Sequence, residues 1–349
     1  MAQKENLAYI GGLMDGDGSF TVARRTNKKG VNLLYYPLVQ FGSLSKESVQ
    51  LMKDMFNGSI HLQKSHSKKD GSLRRDFYRW RIEKCSKCLP FLEMVIPYLE
   101  IKKERAEFLR DFIVKNPFKR GSNALTSHVL ESRHSDYIRM NVFNDERTLE
   151  RSIVRQSKKI TQDSLFWAYL AGLLDSDGSF SIKKERSGRY SAQILLTQTD
   201  IRGINKIRKN TPFGTVFLVN AKSAKLGACY RFGIYSREEI SSLIPYILPY
   251  LRTKKEQAHI LLDFCNNKTL VQHRRNGIPN EEINFRESCY KKIIMLNKYG
   301  VYKPTLIDLE TQRMGDRAEG ESHGERLSER DHFVDVDNMV CDSLNTTNI

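Results

Sequence analysis

Two stretches of the chain share one hydrophobic pattern. Leu7, Ile10, Leu13 and Met14 recur at helical spacing and run into Asp15-Gly16-Asp17-Gly18; Leu170, Leu173 and Leu174 run into Asp175-Ser176-Asp177-Gly178. After each glycine the period changes from helix to strand, Ser-Phe-Thr-Val in the first case and Ser-Phe-Ser-Ile in the second. The full match is YIGGLMDGDGSF at 9–20 with YLAGLLDSDGSF at 169–180, eight identities in twelve positions, so the chain is internally duplicated. The pattern downstream of each copy repeats too. Strands are predicted near 19–23 and 35–43, a helix over 46–56 behind the N-cap Ser45, strands near 59–64 and 76–82, and helices over 84–99 and 101–114. The second unit predicts strands near 179–184 and 191–199, a helix from Asp200, strands near 214–220 and 229–235, and helices from Arg237 and Thr253. This order, αββαββαα in each half, predicts an α+β fold of two pseudo-symmetric units, each an antiparallel sheet covered by helices.

The acids at the helix ends are the unusual feature. Asp15, Asp17, Asp175 and Asp177 fall at the negative end of the helix macrodipole, where a carboxylate is disfavoured by up to about 1 kcal/mol. Gly18 and Gly178 read as left-handed residues ending each helix. Gly11, Gly12, Ala171 and Gly172 are small enough for the two helices to pack closely, which would bring Asp17 and Asp177 together. Two carboxylates at that distance repel unless a cation lies between them, which predicts a divalent metal, Mg²⁺ first. A Ca²⁺ loop of EF-hand type fails at both ends: its first ligand would be Leu13 or Leu173 and its twelfth Arg24 or Lys184.

IGGLMDGDG and LAGLLDSDG resemble the signature of the LAGLIDADG homing endonucleases in their single-chain, two-motif form. The resemblance covers roughly residues 5–115 and 162–268. A second repeated stretch, PYLEIKKERAEFL with Lys102 and PYLRTKKEQAHIL with Lys254, supports it. The resemblance implies saddle-shaped sheets joined at the motif helices and a staggered double-strand break in DNA by metal-assisted phosphodiester hydrolysis. It implies that Asp17 and Asp177 hold the ions with the carbonyls of Gly16 and Ser176, and that Mn²⁺ substitutes for Mg²⁺. Lys102 and Lys254 would stabilise charge or help activate water, and Gln198, with Arg202 beyond it, would position solvent. At the matching place the first half offers only Ser43 and Glu47, so unequal cutting of the two strands is an open expectation. Asp15 and Asp175 are expected to be structural.

Five segments are expected: a first unit at 1–115, a basic linker at 116–161, a second unit at 162–268, a helical extension at 269–314 and a disordered acidic tail at 315–349. The linker holds Arg120, Arg133, Arg139, Arg147, Arg151 and Arg155, with a helix expected near 144–155. It reads equally as a nucleic-acid contact or a spacer. After Gly315 nine acids face three arginines, so residues 1–314 carry +22 against +16 for the whole chain. A body so basic suits a polyanion. The pattern has neither a transmembrane run nor a basic amphipathic anchor, so a membrane is not expected as a partner. Its start does not read as a targeting peptide, which points to the compartment of the encoding genome, an organelle or a prokaryotic cytoplasm. Cys85-x-x-Cys88 has no second pair, and a zinc site is not expected.

One face of each sheet is left free by the helices. Alternation turns Phe20, Val22, Tyr78, Trp80, Ile82, Phe180, Ile182, Tyr230, Phe232 and Ile234 inward. It leaves Ser19, Thr21, Ala23, Arg25, Gln40, Arg79 and Arg81 outward in the first sheet, and Ser181, Lys183, Gln193 and Arg231 in the second. Arginine, lysine and glutamine are the residues that read base edges in the major groove. A strand of about 8 residues at about 3.3 Å per residue follows roughly 8 base pairs. Two different sheets predict a long asymmetric duplex target bound by a monomer. The alternatives are an intron maturase that binds its own intron RNA, or an inactive DNA-binding regulator on the same fold.

Overall fold

The repeated motif forms two crossed helices on which both units are built. The computed structural model describes residues 3–26, 33–64, 76–116, 127–145, 153–219, 229–267 and 279–299. The expected turn at 27–30, the polar loop at 66–75, Arg120, Arg147, Arg151 and the acidic tail lie outside them. α1 (Gln3–Asp17) is buried at every position from Leu7 to Asp15, and α6 (Ser164–Asp177) from Phe166 to Asp175. Burial on all sides is what an apolar helix without a polar face requires.

Each motif helix runs directly into a strand. The first unit continues with β1 (Gly18–Thr26), β2 (Leu33–Ser43), α2 (Lys46–Phe56), β3 (Ser59–Gln63), β4 (Phe77–Ile82), α3 (Cys85–Val95) and α4 (Lys103–Lys115), a 3-10 turn over Ile96–Tyr98 separating the last two. After α5 (Ser127–Asp145) and α6, the second unit has β5 (Gly178–Lys184), β6 (Tyr190–Gln198), α7 (Ile201–Asn210), β7 (Thr215–Val219), β8 (Cys229–Ile234), α8 (Arg237–Ile247) and α9 (Lys255–Asn266), then α10 (Asn280–Tyr299). Both sheets are antiparallel with matching order, β1-β2-β4-β3 and β5-β6-β8-β7. Val39 opposes Ile82 as Ile194 opposes Ile234, so Ser43 occupies the place of Gln198 and Tyr35 that of Tyr190.

Ser45 caps α2 as expected, its side chain accepting from Ser48 N, and Asp163 and Asp200 cap α6 and α7 in the same way. The inward set is confirmed at Phe20, Val22, Trp80, Ile82, Phe180, Ile182, Phe232 and Ile234, all buried, while Tyr78 and Tyr230 near the sheet ends are half-buried. No described helix is long and apolar enough to cross a membrane. The cysteines among the described residues are free, and burial pushes the Cys88 thiol up to about 12, which leaves it unreactive.

The structure departs from three local readings. Gly178 caps α6 in extended backbone (φ −78°, ψ 157°), and Gly18 is not among the positive-φ residues, so neither glycine is left-handed. They are small because the strand turns back against its own helix: a Cβ on Gly18 would lie 2.5 Å from Met14 O, and one on Gly178 2.6 Å from Leu174 O. Gly11 does not serve the helix crossing, since it makes room for the Tyr98 backbone of its own unit.

The third departure concerns the linker. Of the helix expected near 144–155, residues 146–152 lie outside the described residues; the described helix is Ser127–Asp145, and residues 153–163 run as an extended strap along α7, with Ser157 N donating to Arg208 O and Thr161 N to Asn210 O. α5 packs on β1 and α4 as α10 packs on β5 and α9. Tyr35 Oη bonds His134 Nδ1 of α5 at 2.7 Å, and its counterpart Tyr190 donates to Glu287 of α10. Tyr137 packs tilted against Tyr35 and Tyr290 edge-on against Tyr190, and Met140 and Ile293 are both fully buried. The duplication therefore extends one helix further, and Arg-x-Ser-x-Tyr, at 133–137 and 286–290, is its trace in the sequence. Arg133 is buried and donates to the Asn116 side chain, and Arg139 lies over the Phe108 ring. The first is thereby removed from the expected nucleic-acid contacts by its packing.

Candidate functional site

Backbone touches backbone where α1 and α6 cross. A Cβ on Gly12 would lie 2.0 Å from Tyr169 O, and one on Gly172 2.0 Å from Tyr9 O. The helices therefore stay together to their last turn, where a Cβ on Gly16 would fall 3.1 Å from Asp177 Oδ2. Asp17 and Asp177, the last residues of the two helices, face the same small space. Asp17 keeps a solvent-open edge, yet the protein crowded around it removes much of its hydration. That desolvation, and then the charge of Asp177, raises its carboxyl to about 7, against the pull of Lys102 and Lys254. Asp177 is raised as well, by burial, and is opposed by Lys102 and by a 2.6 Å hydrogen bond from Gln198 Nε2.

The other two motif acids do different work. Asp15 accepts from the backbone N–H groups of Glu100 (2.7 Å), Ile101 (3.1 Å) and Lys102 (2.8 Å), the entry to α4, and Asp175 accepts from Arg252 (2.7 Å), Thr253 (3.1 Å) and Lys254 (2.8 Å), the entry to α9. Each carboxylate thus ends one helix and faces the positive N-terminus of another. The dipole penalty predicted for all four acids is consequently reversed for these two. Each also crosses to the other unit: Tyr169 Oη donates to Asp15 Oδ2 at 2.9 Å and Tyr9 Oη to Asp175 Oδ2 at 2.7 Å. Both hydroxyls are held well above their ordinary range by burial and by these acids. Sequence reasoning passes over these tyrosines, although a tyrosine opens both copies of the motif.

Lys102 and Lys254 are the residues before α4 and α9, so the same backbone bonds that secure Asp15 and Asp175 aim the lysines. Lys102 Nζ donates to the carbonyls of Gly16 and Gly18, the latter at 2.7 Å. Lys254 Nζ donates to those of Leu174 (2.9 Å), Ser176 (3.0 Å) and Gly178. A cation here meets the unpaired carbonyls at a helix C-terminus, a favourable place for it. Burial lowers the Lys102 ammonium below its ordinary range while the nearby aspartates resist the shift. The carbonyls of Gly16 and Ser176, expected as ion ligands, are engaged by these lysines.

The two halves of the centre differ. Gln198 reaches Asp177, whereas Ser43 in the same place accepts from Ser45 N (3.0 Å) and belongs to the cap of α2. Arg202 is turned away from the aspartates: it binds Asp200, Glu104 and the Ile101 carbonyl, tying the units together.

On the open face of the first sheet, Ser19, Gln40, Arg81 and Ser59 form one cross-strand row beside the motif aspartates, and Gly42, Arg79 and His61 form the next. Thr21, Ala23 and the exposed Arg25 extend outward along β1. Among the described residues, Gln40 Oε1 and Arg81 Nε have no hydrogen-bond partner, nor does Arg231 Nε on the second sheet. Ser181 is half-buried and Lys183 exposed, on the same face as Arg231. Gln193 departs from expectation. It lies 6% exposed with Nε2 donating to Ser181 Oγ at 2.9 Å, because its amide folds onto the cross-strand partner on β5. Outward residues on the edge strands, His61 and Phe217, were missed because those strands are short and their alternation is weak.

Residues 170–266 match a family model described as LAGLIDADG endonuclease. The fold is shared with LAGLIDADG homing endonuclease I-GzeII in complex with its DNA target, at TM-score 0.57 and 14% identity, over 82% of this chain and 97% of that one. Meganuclease I-SmaMI bound to uncleavable DNA matches at TM-score 0.56 and 19% identity, over 83% and 98%, and I-SmaMI on uncleaved DNA with calcium ions at 0.56 and 17%, over 82% and 97%. No curated protein matches the chain. The resemblance read from the two motifs thus holds for the second unit in sequence and for most of the chain in fold.

Proposed function

We propose that this two-unit protein with the LAGLIDADG fold is a site-specific DNA endonuclease that cuts both strands of a long, asymmetric duplex. The observation that carries the reading is the placement of Asp17 and Asp177. They meet at the crossing of two helices, at the point from which two open, basic sheet faces begin. One chain supplies both motif helices and both faces, which supports a monomer acting on unlike half-sites; homing of an intron or similar element is the role such a cut would serve.

Mg²⁺ fits this centre, and Mn²⁺ should replace it. The donors are all oxygens, and no group of three or more His, Cys, Asp or Glu side chains gathers among the described residues. That sparse set suits an ion that keeps waters and takes one or two carboxylates plus substrate phosphate. When bound, the ion neutralises charge on the phosphate and lowers the pKa of attacking water. Asp17 and Asp177 would hold it, and Lys102 and Lys254, now on the helix-end carbonyls, would meet charge building on the phosphate. Gln198 orients Asp177 and the solvent beside it, and Ser43 supplies no such contact to Asp17. Gln198→Ala should therefore slow one strand by about tenfold and leave the other near its normal rate. Nicked circles would accumulate on a plasmid substrate; equal slowing of both strands would remove the assignment.

The test of the reading is cleavage of a library of randomised duplexes with Mg²⁺, and then with EDTA, with the ends sequenced. Metal-dependent cuts of fixed stagger at one family of long sites would establish it. Folded protein that cuts no duplex but binds structured RNA in a salt-dependent way would replace it with the maturase.

A further inference from the structure

The open faces of the two sheets differ most where they should be alike. Around the rows nearest the motif aspartates, the first sheet carries Gln40, Arg81, His61 and Glu83. The equivalent places on the second carry Leu195, Gly233, Phe217 and Tyr235. Four hydrogen-bonding side chains in one sheet are replaced by none in the other, apart from a phenol. Phe217 is 49% exposed and Tyr235 46%, with ring centroids 6.3 Å apart, and Leu195 is half-buried beside them. Gly233 permits this arrangement. A Cβ there would meet the Tyr235 ring at 2.6 Å, so the tyrosine folds back across the glycine and covers the sheet. Arg81 fills that space in the first sheet. The first sheet's own outward ring, Phe77, is shielded by the Arg79 guanidinium at 5.7 Å.

This patch is continuous with the face that carries Arg231, Thr197 and Ser181. Its occupant should therefore be what that face binds. In the major groove one base edge is apolar, the 5-methyl group of thymine, and an aromatic or aliphatic contact with it discriminates thymine from every other base. We propose that Leu195, Phe217 and Tyr235 read thymine methyl groups in the part of one half-site next to the cut. The first sheet reads hydrogen-bonding base edges at the corresponding steps of the other half-site. The proposal is confined to these inner steps. Farther out the contrast is lost, with Tyr36, Leu34 and Arg25 on the first sheet and Lys183 and Ser191 on the second. It rests on the endonuclease reading above.

The full chain carrying Asp17→Asn and Asp177→Asn is used to select bound duplexes from a random library, and the preferred site is then rebuilt with deoxyuridine in place of thymine, one half at a time. Uracil keeps every hydrogen bond and loses only the methyl. Affinity should fall about fourfold for each inner thymine replaced in one half and be unchanged in the other. Adding Phe217→Ala or Tyr235→Ala should abolish the response to uracil, which also assigns that half to the second sheet. A selected site indifferent to uracil in both halves would overturn the methyl reading while leaving DNA recognition intact. Selection of no site at all would remove both. Concentration-dependent dimers of wild type that Phe217→Ala makes monomeric would mark the patch as a contact between copies and overturn the proposal.

Discussion

Replacing Asp17 and Asp177 together by asparagine is expected to reduce double-strand cleavage by at least on the order of 10³-fold, because the isosteric amides keep the packing and lose the charge that holds the ion. The same change should stabilise the metal-free protein. The carboxyl of Asp17 rises from an ordinary 3.8 to about 7 on folding, so its contribution to stability is complete at low pH and is lost as pH climbs from about 4 through 7. In EDTA at pH 8 the Asp17 carboxylate is ionised and faces Asp177 with no ion between them. The double variant should then melt a few degrees higher, and Mg²⁺ should raise the Tm of wild type alone. Cleavage by wild type at limiting Mg²⁺ should increase with pH through about 7, since the proton and the ion compete for Asp17. Calorimetry across pH 5 to 8, with and without Mg²⁺, checks the stability arm. A double variant that melts lower than wild type in EDTA would show that the carboxylates are held by the fold and do not strain it.

Gly12→Ala should be the most damaging single methyl in the described structure. The added carbon would sit 2.0 Å from Tyr169 O and 2.6 Å from Leu173 N, both backbone, so no side chain can turn away to receive it. Relief requires α1 and α6 to separate, which stretches the paired bonds Tyr9 to Asp175 and Tyr169 to Asp15. A loss of about 4 kcal/mol or more is expected, enough to lower the Tm by roughly 10 °C or to prevent folding. Gly188→Ala gives the contrast. That glycine has φ +79° with nothing within 4 Å of a Cβ, so only backbone strain of about 1 kcal/mol is introduced. Thermal melts of the two variants should differ severalfold in ΔTm. Equal effects would mean that the helix crossing is not the tight joint described.

Much of this protein was legible in its sequence because duplication prints the same physics twice. The change from helical to strand period after Gly18 and Gly178, the cap at Ser45, the helix start at Asp200, and the succession of helices and strands along the chain all follow from residues within a few positions of one another. Their local propensities agree with the final fold. The pairing of Asp17 with Asp177 was also readable, from Gly12 and Gly172, each five residues upstream of its aspartate.

Tertiary structure decided the rest, wherever a residue's partner lies far along the chain. Asp15 and Asp175 looked like misplaced charges because the helix N-termini they face begin 85 and 77 residues later, at the backbone of Glu100 and Arg252. Gln193 looked like a reader of bases because alternation gives the face of a side chain and cannot say whether its cross-strand neighbour holds its amide. The short repeat Arg-x-Ser-x-Tyr was too sparse to stand out until α5 and α10 were seen packed on equivalent strands. Periodicity and capping are local quantities that the sequence determines by itself. Which carboxylate meets a lysine, an amide or another carboxylate is settled only when distant segments are brought to within hydrogen-bonding distance.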